Sequence, residues 1–307
     1  MIKTRRLVAL IALAGVSVAV GSAVATTDRL SSSRSLPIGQ IEQALQAKGT
    51  VAEHVLSVEV DREDLGPHHI HSVPVGASFQ VNGALTFQPL SRGRALFNGD
   101  FPLRSSEIDR FISALLANHI VFQAEHQHFY DLTPPTWFVH FRAIGDPVAI
   151  AQGLRAAMRV TSVHLPQSPP KNPHTPLNAG RLKTILGARN AQVGAGGVVT
   201  VTLTQKHPVR LGGVLLNQNA NAETNIVFEP LNSAGTRVAA APDFGMTAAQ
   251  IQGVTGVMRE HGWDIGCLYN QETDESPQLY FSHDFKVGDP YKLAQEIRDG
   301  LDRMNVN

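Results

Sequence analysis

The sequence predicts an α+β fold in which two tandem homologous domains each form a largely antiparallel sheet with helices packed on it. Two observations lead to this prediction. Segments in the two halves of the chain match each other in order, with an offset that stays between 141 and 143 residues. Within each copy, strand-like runs mix with helical stripes without strict alternation, which is typical of α+β domains. A colinear series of matches indicates an internal duplication.

The matching segments extend over most of the chain. Residues 36–41 correspond to 177–182, residues 87–90 (Phe-Gln-Pro-Leu) to 228–231 (Phe-Glu-Pro-Leu), Asp100-Phe101 to Asp243-Phe244, His119 to His261, and Gly145-Asp146-Pro147 to Gly288-Asp289-Pro290. Between the copies, residues 163–176 contain five prolines. Because proline cannot continue a helix or a central strand, this segment is predicted to be a linker. The predicted domains are therefore residues 36–162 and 177–305.

The elements of the first copy follow from hydrophobic periodicity, taken in order along the chain. Residues 38–48 have helical spacing, and residues 51–60 alternate as in a strand. Residues 79–101 contain strand-like runs that are broken by turn signals at Asn82-Gly83 and at 91–93. A helical stripe follows at 108–116, then strands at 120–128 and 136–141, and a last helix around 150–158. Asp146-Pro147 is a helix-start signature rather than a functional motif, and Asp289-Pro290 repeats it.

The N-terminus has the pattern of a secretory signal peptide. Basic residues up to Arg6 precede an apolar run over residues 7–20, and small residues lead to Ala25, where cleavage is expected. The alternative is a membrane anchor, but the apolar run is short for a span. We therefore predict a signal peptide (1–25), a flexible leader (26–35), and a secreted or periplasmic protein with no stable membrane span after cleavage.

Charge and cysteine content exclude some classes of protein. Removal of residues 1–25 takes away three of 26 basic residues and none of the 26 acidic ones, leaving 23 against 26. A nearly neutral chain with no basic patch is not expected to bind nucleic acid. Cys267 is the only cysteine, so an intrachain disulfide cannot form, and no cysteine near Ala25 could carry a lipid.

The densest group of chemically active residues is a histidine pattern in the first copy. His126 and His128 lie one residue apart on a predicted strand and therefore share a face, and His140 lies on the returning strand. Three imidazoles on one face suit zinc or a similar divalent ion, with positions left for water or a ligand. The alternative is a set of solvated or packing histidines. Asp100 is a fourth candidate ligand or a partner of one, although it could instead cap the helix that follows.

The second copy provides an internal comparison. With one extra residue placed in its hairpin turn, His126 corresponds to Leu268 and His128 to Asn270, whereas His140 and Asp100 correspond to His283 and Asp243. The second domain is therefore expected to keep the scaffold and to lack an equivalent site. A further cluster, His68-His69-Ile70-His71, is predicted to be a loop, because no periodic element contains it.

Two functional hypotheses follow from these residues. The first is a binding module that holds a divalent metal or a small anionic ligand, and the second is a metal-dependent hydrolase or lyase. An enzyme needs a proton-transfer group near the metal, and strand alternation turns Glu125 away from His126 and His128. We therefore favour binding, with an affinity that is expected to fall below pH 6 as the imidazoles become protonated.

The residues 124–128 (Ala-Glu-His-Gln-His), the 137–140 strand, Gly99-Asp100-Phe101 and the tandem layout resemble the LppY/LpqO family of bacterial envelope proteins. The resemblance covers nearly the whole chain after the signal and implies an exported two-repeat protein, although the family supplies no established activity. Two departures are visible. Members with a lipoprotein signal carry a lipid-bearing cysteine, which this chain lacks. Members often keep His-x-His in both halves, where this chain has Leu268 and Asn270.

Overall fold

The computed structural model describes residues 35–304 and residue 306. The predicted signal peptide, and all of the predicted leader except its last residue, lie outside the described residues. Within the described part of the chain, no helix has the length and apolar character that crossing a membrane requires. The two repeats belong to one compact unit.

The helices lie at corresponding places in the two repeats. Those of the first repeat are α1 (Ile38–Leu45), α2 (Ile108–Ala117) and α3 (Pro147–Met158), and those of the second are α4 (Ala179–Leu186), α5 (Ile251–Glu260) and α6 (Pro290–Leu301). The predicted helix starts are confirmed by capping contacts: the Asp146 carboxylate accepts from the Ala149 N–H at 2.8 Å, and Asp289 accepts from the N–H groups of Tyr291 and Lys292.

The strands also correspond. In the first repeat they are β1 (Thr50–Ala52), β2 (Val55–Val60), β3 (His68–Ile70), β4 (Val73–Val75), β5 (Gly83–Pro89), β6 (Ala95–Leu103), β7 (Val121–His126), β8 (Leu132–Thr133) and β9 (Trp137–Gly145). In the second they are β10 (Asn190–Val193), β11 (Val199–Leu203), β12 (Arg210–Leu211), β13 (Val214–Leu215), β14 (Thr224–Pro230), β15 (Val238–Met246), β16 (Asp264–Ile265), β17 (Glu275–Ser276) and β18 (Tyr280–Gly288).

The sheets of the two repeats have the same topology. The large sheets have the orders β1-β2-β5-β6-β9-β7 and β10-β11-β14-β15-β18-β16, and the small ones β4-β3-β8 and β13-β12-β17. Every pairing within these sheets is antiparallel. This agreement confirms the predicted fold class, two tandem α+β repeats that arose from one unit.

Each large sheet has helices on one face and the other repeat on its other face. Apolar residues on the helix sides, such as Phe111 and Phe141 in the first repeat, form a separate core in each repeat. A third cluster joins Phe79 and Phe138 of the first repeat to Phe285 of the second. The two sheets therefore pack face to face between outer layers of helices, and inward-pointing side chains meet between the repeats.

Two local predictions were wrong. Residues 51–60 form the hairpin β1–β2 rather than one strand, because Glu53 and His54 both adopt positive φ and reverse the chain. Residues 68–70 form strand β3 rather than a loop, since β3 pairs with both β4 and β8.

The linker packs against the first repeat, where the Gln167 side chain exchanges two hydrogen bonds with the backbone of Asp61 at 2.8 Å.

Candidate metal centre and the cavity between the repeats

The three histidines lie on the inner face of the first sheet. In the pairing of β7 with β9, Ala124 lies opposite His140 and His126 lies opposite Phe138. Because side chains alternate along a strand, His126 points to the same side as Phe138 and His140. The predicted strand 120–128 was too long, because β7 ends at His126, and His128 lies two residues beyond it with its ring stacked on Phe138 on this same side. That side is covered by the second repeat, so that the three imidazoles are buried, with exposed fractions of 9%, 5% and 2% for His126, His128 and His140.

The imidazoles converge on a common point. One ring nitrogen of each of His126, His128 and His140 lies within 4.8 Å of the corresponding atoms of the other two. The ligand atoms of a tetrahedral zinc ion with bonds of about 2.1 Å lie about 3.4 Å apart. Each pair of nitrogens would therefore have to approach by about 1.4 Å at most to bind such an ion. The structure brings the three residues together, and their role as metal ligands stays a prediction.

The hydrogen bonds of the rings leave nitrogen lone pairs free for a ligand. Among the described residues, neither ring nitrogen of His126 or of His140 has a hydrogen-bond partner. The His128 Nδ1 lies 2.7 Å from the carbonyl oxygen of Gln80, which fixes its proton on Nδ1 and leaves the Nε2 lone pair available. Buried polar atoms without partners are unusual in proteins, and an electron-pair acceptor at this point would satisfy them.

Burial keeps these histidines neutral. Loss of solvent and repulsion from neighbouring imidazoles lower the pKa of His126 and of His128 well below the usual value, and burial lowers the pKa of His140 to about 3. Neutral imidazole is the form that binds a metal. The expectation that protons compete with the metal below pH 6 assumed the pKa of an exposed histidine, and the lowered pKa values move the expected competition to lower pH.

Asp100 lies in the middle of β6, directly across from His140. Its carboxyl accepts a hydrogen bond from the Ala84 N–H at 3.1 Å, and burial outweighs this bond and raises the pKa of Asp100 to about 7. The alternative interpretation as a helix cap was wrong, because β6 continues to Leu103. Asp100 is not one of the three residues whose ligand atoms converge. Its role as a ligand stays a prediction.

Residues of the second repeat complete the surroundings of the histidines. The Tyr269 ring stacks on His126 with 3.5 Å between ring centroids, and the His283 ring stacks on His128 at 3.8 Å. Both rings are almost parallel to their partners. Sequence reasoning identified His283 only as a counterpart of His140, and it missed Tyr269. The candidate site is therefore shared by both repeats rather than confined to the first.

The structure changes the alignment of the second copy. Tyr269 pairs with Phe281 as His126 pairs with Phe138, so that Tyr269 and not Leu268 is the counterpart of His126. Leu268 points outward, with 51% of its surface exposed. The extra residues of the second copy lie in the turn between β14 and β15, where the offset changes from 141 to 143, and not in the later hairpin.

The counterpart of His128 is Gln271, not Asn270. The Gln271 Nε2 donates to the carbonyl oxygen of Asn221 at 2.9 Å, as the His128 ring bonds to the carbonyl oxygen of Gln80. Gln80 and Asn221 both adopt positive φ. The match between His119 and His261 was also off by one residue: His119 has positive φ after α2, as does Gly262 after α5.

A cavity of about 450 Å³ lies between the sheets beside the histidines. His128, His140 and Asp100 line it from the first repeat, and Asp243 and His283 line it from the second. A pocket of this size can hold a small molecule, whereas an ion alone needs far less space.

The carboxyls of Asp100, Glu223 and Asp243 in this cavity are buried, and burial disfavours their ionised form. Burial and repulsion from Asp100 raise the pKa of Asp243 well above its usual value, and burial raises the pKa of Glu223 to about 7. One oxygen of Asp243 lies 3.7 Å from the His283 Nε2, and the other has no partner among the described residues. Glu125 is exposed, in agreement with the expectation that it turns away from the site.

The other histidine cluster, residues 68–71, does not belong to the candidate metal centre. The His68 Nε2 lies 3.3 Å from the hydroxyl of Thr136, and burial lowers the pKa of His68 to about 4. His71 lies between Asp131 and Asp264, with its Nε2 3.2 Å from the Asp264 carboxylate. These contacts account for the cluster as part of the structure of the repeat interface.

Comparison with known proteins identifies a family. The family described as Domain of Unknown Function (DUF1259) matches residues 39–160 and, a second time, residues 180–303. The chain belongs to this family. The two matched segments follow the two structural repeats, so that the repeat is the unit of this family. The resemblance to the LppY/LpqO family stays a prediction, because the family description does not include that name. No curated protein and no solved structure matches the chain.

Proposed function

We propose that this protein binds a divalent transition-metal ion, zinc or a similar one, through His126, His128 and His140. The observation that carries the proposal is the convergence of three buried, neutral imidazoles, two of which have no hydrogen-bond partner at either ring nitrogen. Nitrogen ligands favour zinc, copper, nickel or cobalt over calcium and magnesium. Three protein ligands leave a coordination position for water or a small ligand in the adjoining cavity.

Metal binding can be tested by replacing His128 with the residue that the second repeat has at the equivalent position. His128→Gln places in the first repeat the residue that the second repeat has at this position, and the amide can keep the hydrogen bond to the Gln80 carbonyl. Isothermal titration of metal-stripped protein with zinc should show about one ion per chain for the wild type. The variant should bind more than about 100-fold more weakly, since loss of a ligand should exceed the 10–100-fold effect of losing an outer partner.

The matched control is His164→Gln, the same chemical change at an exposed position in the linker. This variant should bind zinc as the wild type does. Elemental analysis of the three purified proteins provides a second readout. Equal and substoichiometric metal in all three would contradict the proposal and would leave the histidines as packing residues.

The second candidate function is a metal-dependent hydrolase or lyase. It is favoured by the carboxyl of Asp100, which lines the cavity beside His140 and whose pKa of about 7 suits a group that exchanges protons near neutral pH. Zinc-loaded protein would then hydrolyse model esters or phosphodiesters. Asp100→Asn should abolish this turnover while metal binding persists. Metal binding without turnover of any such substrate would leave the binding function alone.

We further propose that the protein is exported, with cleavage after Ala25, on the basis of the basic, apolar and small-residue pattern at the N-terminus. Intact-mass measurement of the protein released by the producing cells tests this proposal. A mature chain that still contains Met1 would contradict it.

A further inference from the structure

The cavity between the repeats has an unusual electrostatic character. Among the described residues that line it there is no lysine and no arginine, whereas five carboxyl side chains do line it: Glu59, Asp61, Asp100, Glu223 and Asp243. A ligand with phosphate or carboxylate groups would therefore find no guanidinium or ammonium group in the lining to compensate its charge. The cavity itself is not suited to the small anionic ligand considered from the sequence.

Most of the other polar groups in the lining both donate and accept hydrogen bonds. Side-chain amides and hydroxyls occur on both walls, for example Asn82 and Thr86 on the first sheet and Thr200, Asn221 and Asn225 on or beside the second. An amide has donors and acceptors, and a hydroxyl has both as well. This lining is complementary to a ligand that carries many hydroxyl groups, because each of them also donates and accepts.

Two buried acceptors in the cavity are left without a donor. The Gln80 Oε1 and one carboxyl oxygen of Asp243 have no hydrogen-bond partner among the described residues, and both residues line the cavity. A buried acceptor without a donor costs free energy, which a ligand hydroxyl would recover. These atoms lie on different repeats, so that a ligand that satisfies both contacts both repeats.

The size of the cavity excludes a second ion as its sole occupant. A volume of about 450 Å³ is within the range of small-molecule sites. Among the described residues, the carboxyls of the cavity do not come together in a group of three or more with the spacing of metal ligands, and only His126, His128 and His140 do so. The polar groups are distributed over both walls, as a molecule of several atoms requires.

We propose that the cavity binds a neutral polyhydroxylated molecule, a mono- or disaccharide, beside the metal centre. This inference rests on the proposed function for the position of the metal, and the lining of the cavity supports it independently. The ligand occupies the space between the sheets, and its hydroxyls bond to amide, hydroxyl and carboxyl groups of both repeats. The absence of basic side chains from the lining selects against phosphorylated and acidic sugars.

Saturation-transfer difference NMR on purified protein tests this proposal, because it detects weak binding directly. The probes are glucose, galactose, mannose, maltose and cellobiose, each measured with zinc-loaded and with metal-stripped protein. Inorganic phosphate, observed by ³¹P line broadening, and the diamine putrescine, observed by the same difference method, represent anionic and cationic ligands. At least one sugar should show transfer, and neither phosphate nor putrescine should bind to the metal-stripped protein.

Thr200→Val removes one hydroxyl from the cavity and keeps the shape and the preference for a strand. It should weaken sugar binding between about twofold and tenfold, which corresponds to the loss of one hydrogen bond. The matched control is Thr255→Val in α5, which is outside the cavity lining and should leave binding unchanged. Elemental analysis should show that both variants keep the metal content of the wild type.

The outcomes separate this inference from the proposed function. Full zinc binding together with no transfer to any of the five sugars would overturn the sugar inference alone. Binding of putrescine or phosphate to the metal-stripped protein, with silent sugars, would assign the cavity to a charged ligand and would also overturn it. If the protein takes up no zinc but still binds a sugar, the sugar inference would be supported and the metal proposal would be contradicted.

Discussion

Because Gln271 is the counterpart of His128 in the second repeat, the stability of variants at position 128 can be predicted quantitatively. His128 makes one hydrogen bond to the Gln80 carbonyl at 2.7 Å, and its ring stacks on Phe138 with 3.4 Å between ring centroids. His128→Ala removes both contacts. An unsatisfied buried carbonyl costs about 1–3 kcal/mol. Together with the lost packing, His128→Ala should lower the free energy of unfolding by about 2–4 kcal/mol.

His128→Gln should behave differently, because Gln271 occupies the equivalent position and donates to the Asn221 carbonyl at 2.9 Å. A glutamine at 128 can make the same bond, so its cost should stay below about 1.5 kcal/mol. His128→Asn, the residue suggested by the sequence alignment, has a side chain one methylene shorter and should be intermediate. Metal binding should be lost in all three variants.

Urea denaturation of the metal-stripped proteins, followed by circular dichroism, measures these differences in the free energy of unfolding. Metal must be removed, because an ion bound to the folded state alone would stabilise the wild type and not the variants. The reasoning is refuted if His128→Gln is as destabilising as His128→Ala. It would also fail if His128→Asn were the least destabilising of the three, since the counterpart would then be Asn270 after all.

Three further predictions concern other parts of the molecule. Arg62 is fully buried and bonds to Asp64 at 2.8 Å, so Arg62→Met should cost about 3–5 kcal/mol in urea denaturation. Burial would raise the pKa of Asp64, but hydrogen bonds from Arg62 and Ser162 and the charges of Arg62 and Arg104 lower it to about 2, against 3.8 when unfolded. This stability is present above pH 4 and is lost as the pH falls towards 2, so acid denaturation of the variant should show a smaller contribution from Asp64. Zinc affinity should be nearly constant between pH 6 and 8 if the ligands are histidines alone, whereas a decline as the pH falls through about 7 in calorimetric titrations would identify Asp100 as a further ligand. A Cβ atom on Gly266 would lie 2.6 Å from the His128 carbonyl oxygen, so Gly266→Ala should lower the free energy of unfolding by about 1–3 kcal/mol in thermal denaturation. Gly256 in α5 has open space around it, and Gly256→Ala should raise the free energy of unfolding by about 0.5–1 kcal/mol.

The sequence was sufficient to predict the fold class and the grouping of His126, His128 and His140. Duplication left matching segments, and amphipathic periodicity located most helices and strands, because both are local or colinear signals. The shared face of His126 and His140 followed from strand alternation, whereas His128 lies beyond the end of β7, where its ring bonds to the Gln80 carbonyl. The turn between β1 and β2 was not predicted, because the residues that reverse the chain there, such as His54, adopt positive φ although none of them is glycine.

The composition of the cavity could not be predicted from either copy alone. The stacking of Tyr269 on His126 and of His283 on His128 depends on how one sheet faces the other, and no sequence period reports this packing. The pKa values of the histidines depend on the same burial. A comparison of the two copies could have identified Tyr269 if the longer turn between β14 and β15 had been assigned to its proper place, since the offset is constant after it.

The difference between Tyr269 and His126, at equivalent positions of two equivalent sheets, makes the space between the repeats directional. Two identical sheets facing each other would present the same groups to both ends of a bound molecule, which could then bind in two opposite orientations. Here one wall offers three imidazoles, and the other offers one imidazole, a phenol and an amide at the corresponding places. A molecule with two unlike ends that binds in this space, as proposed, would therefore have one preferred orientation, because divergence after duplication has given the two walls different groups.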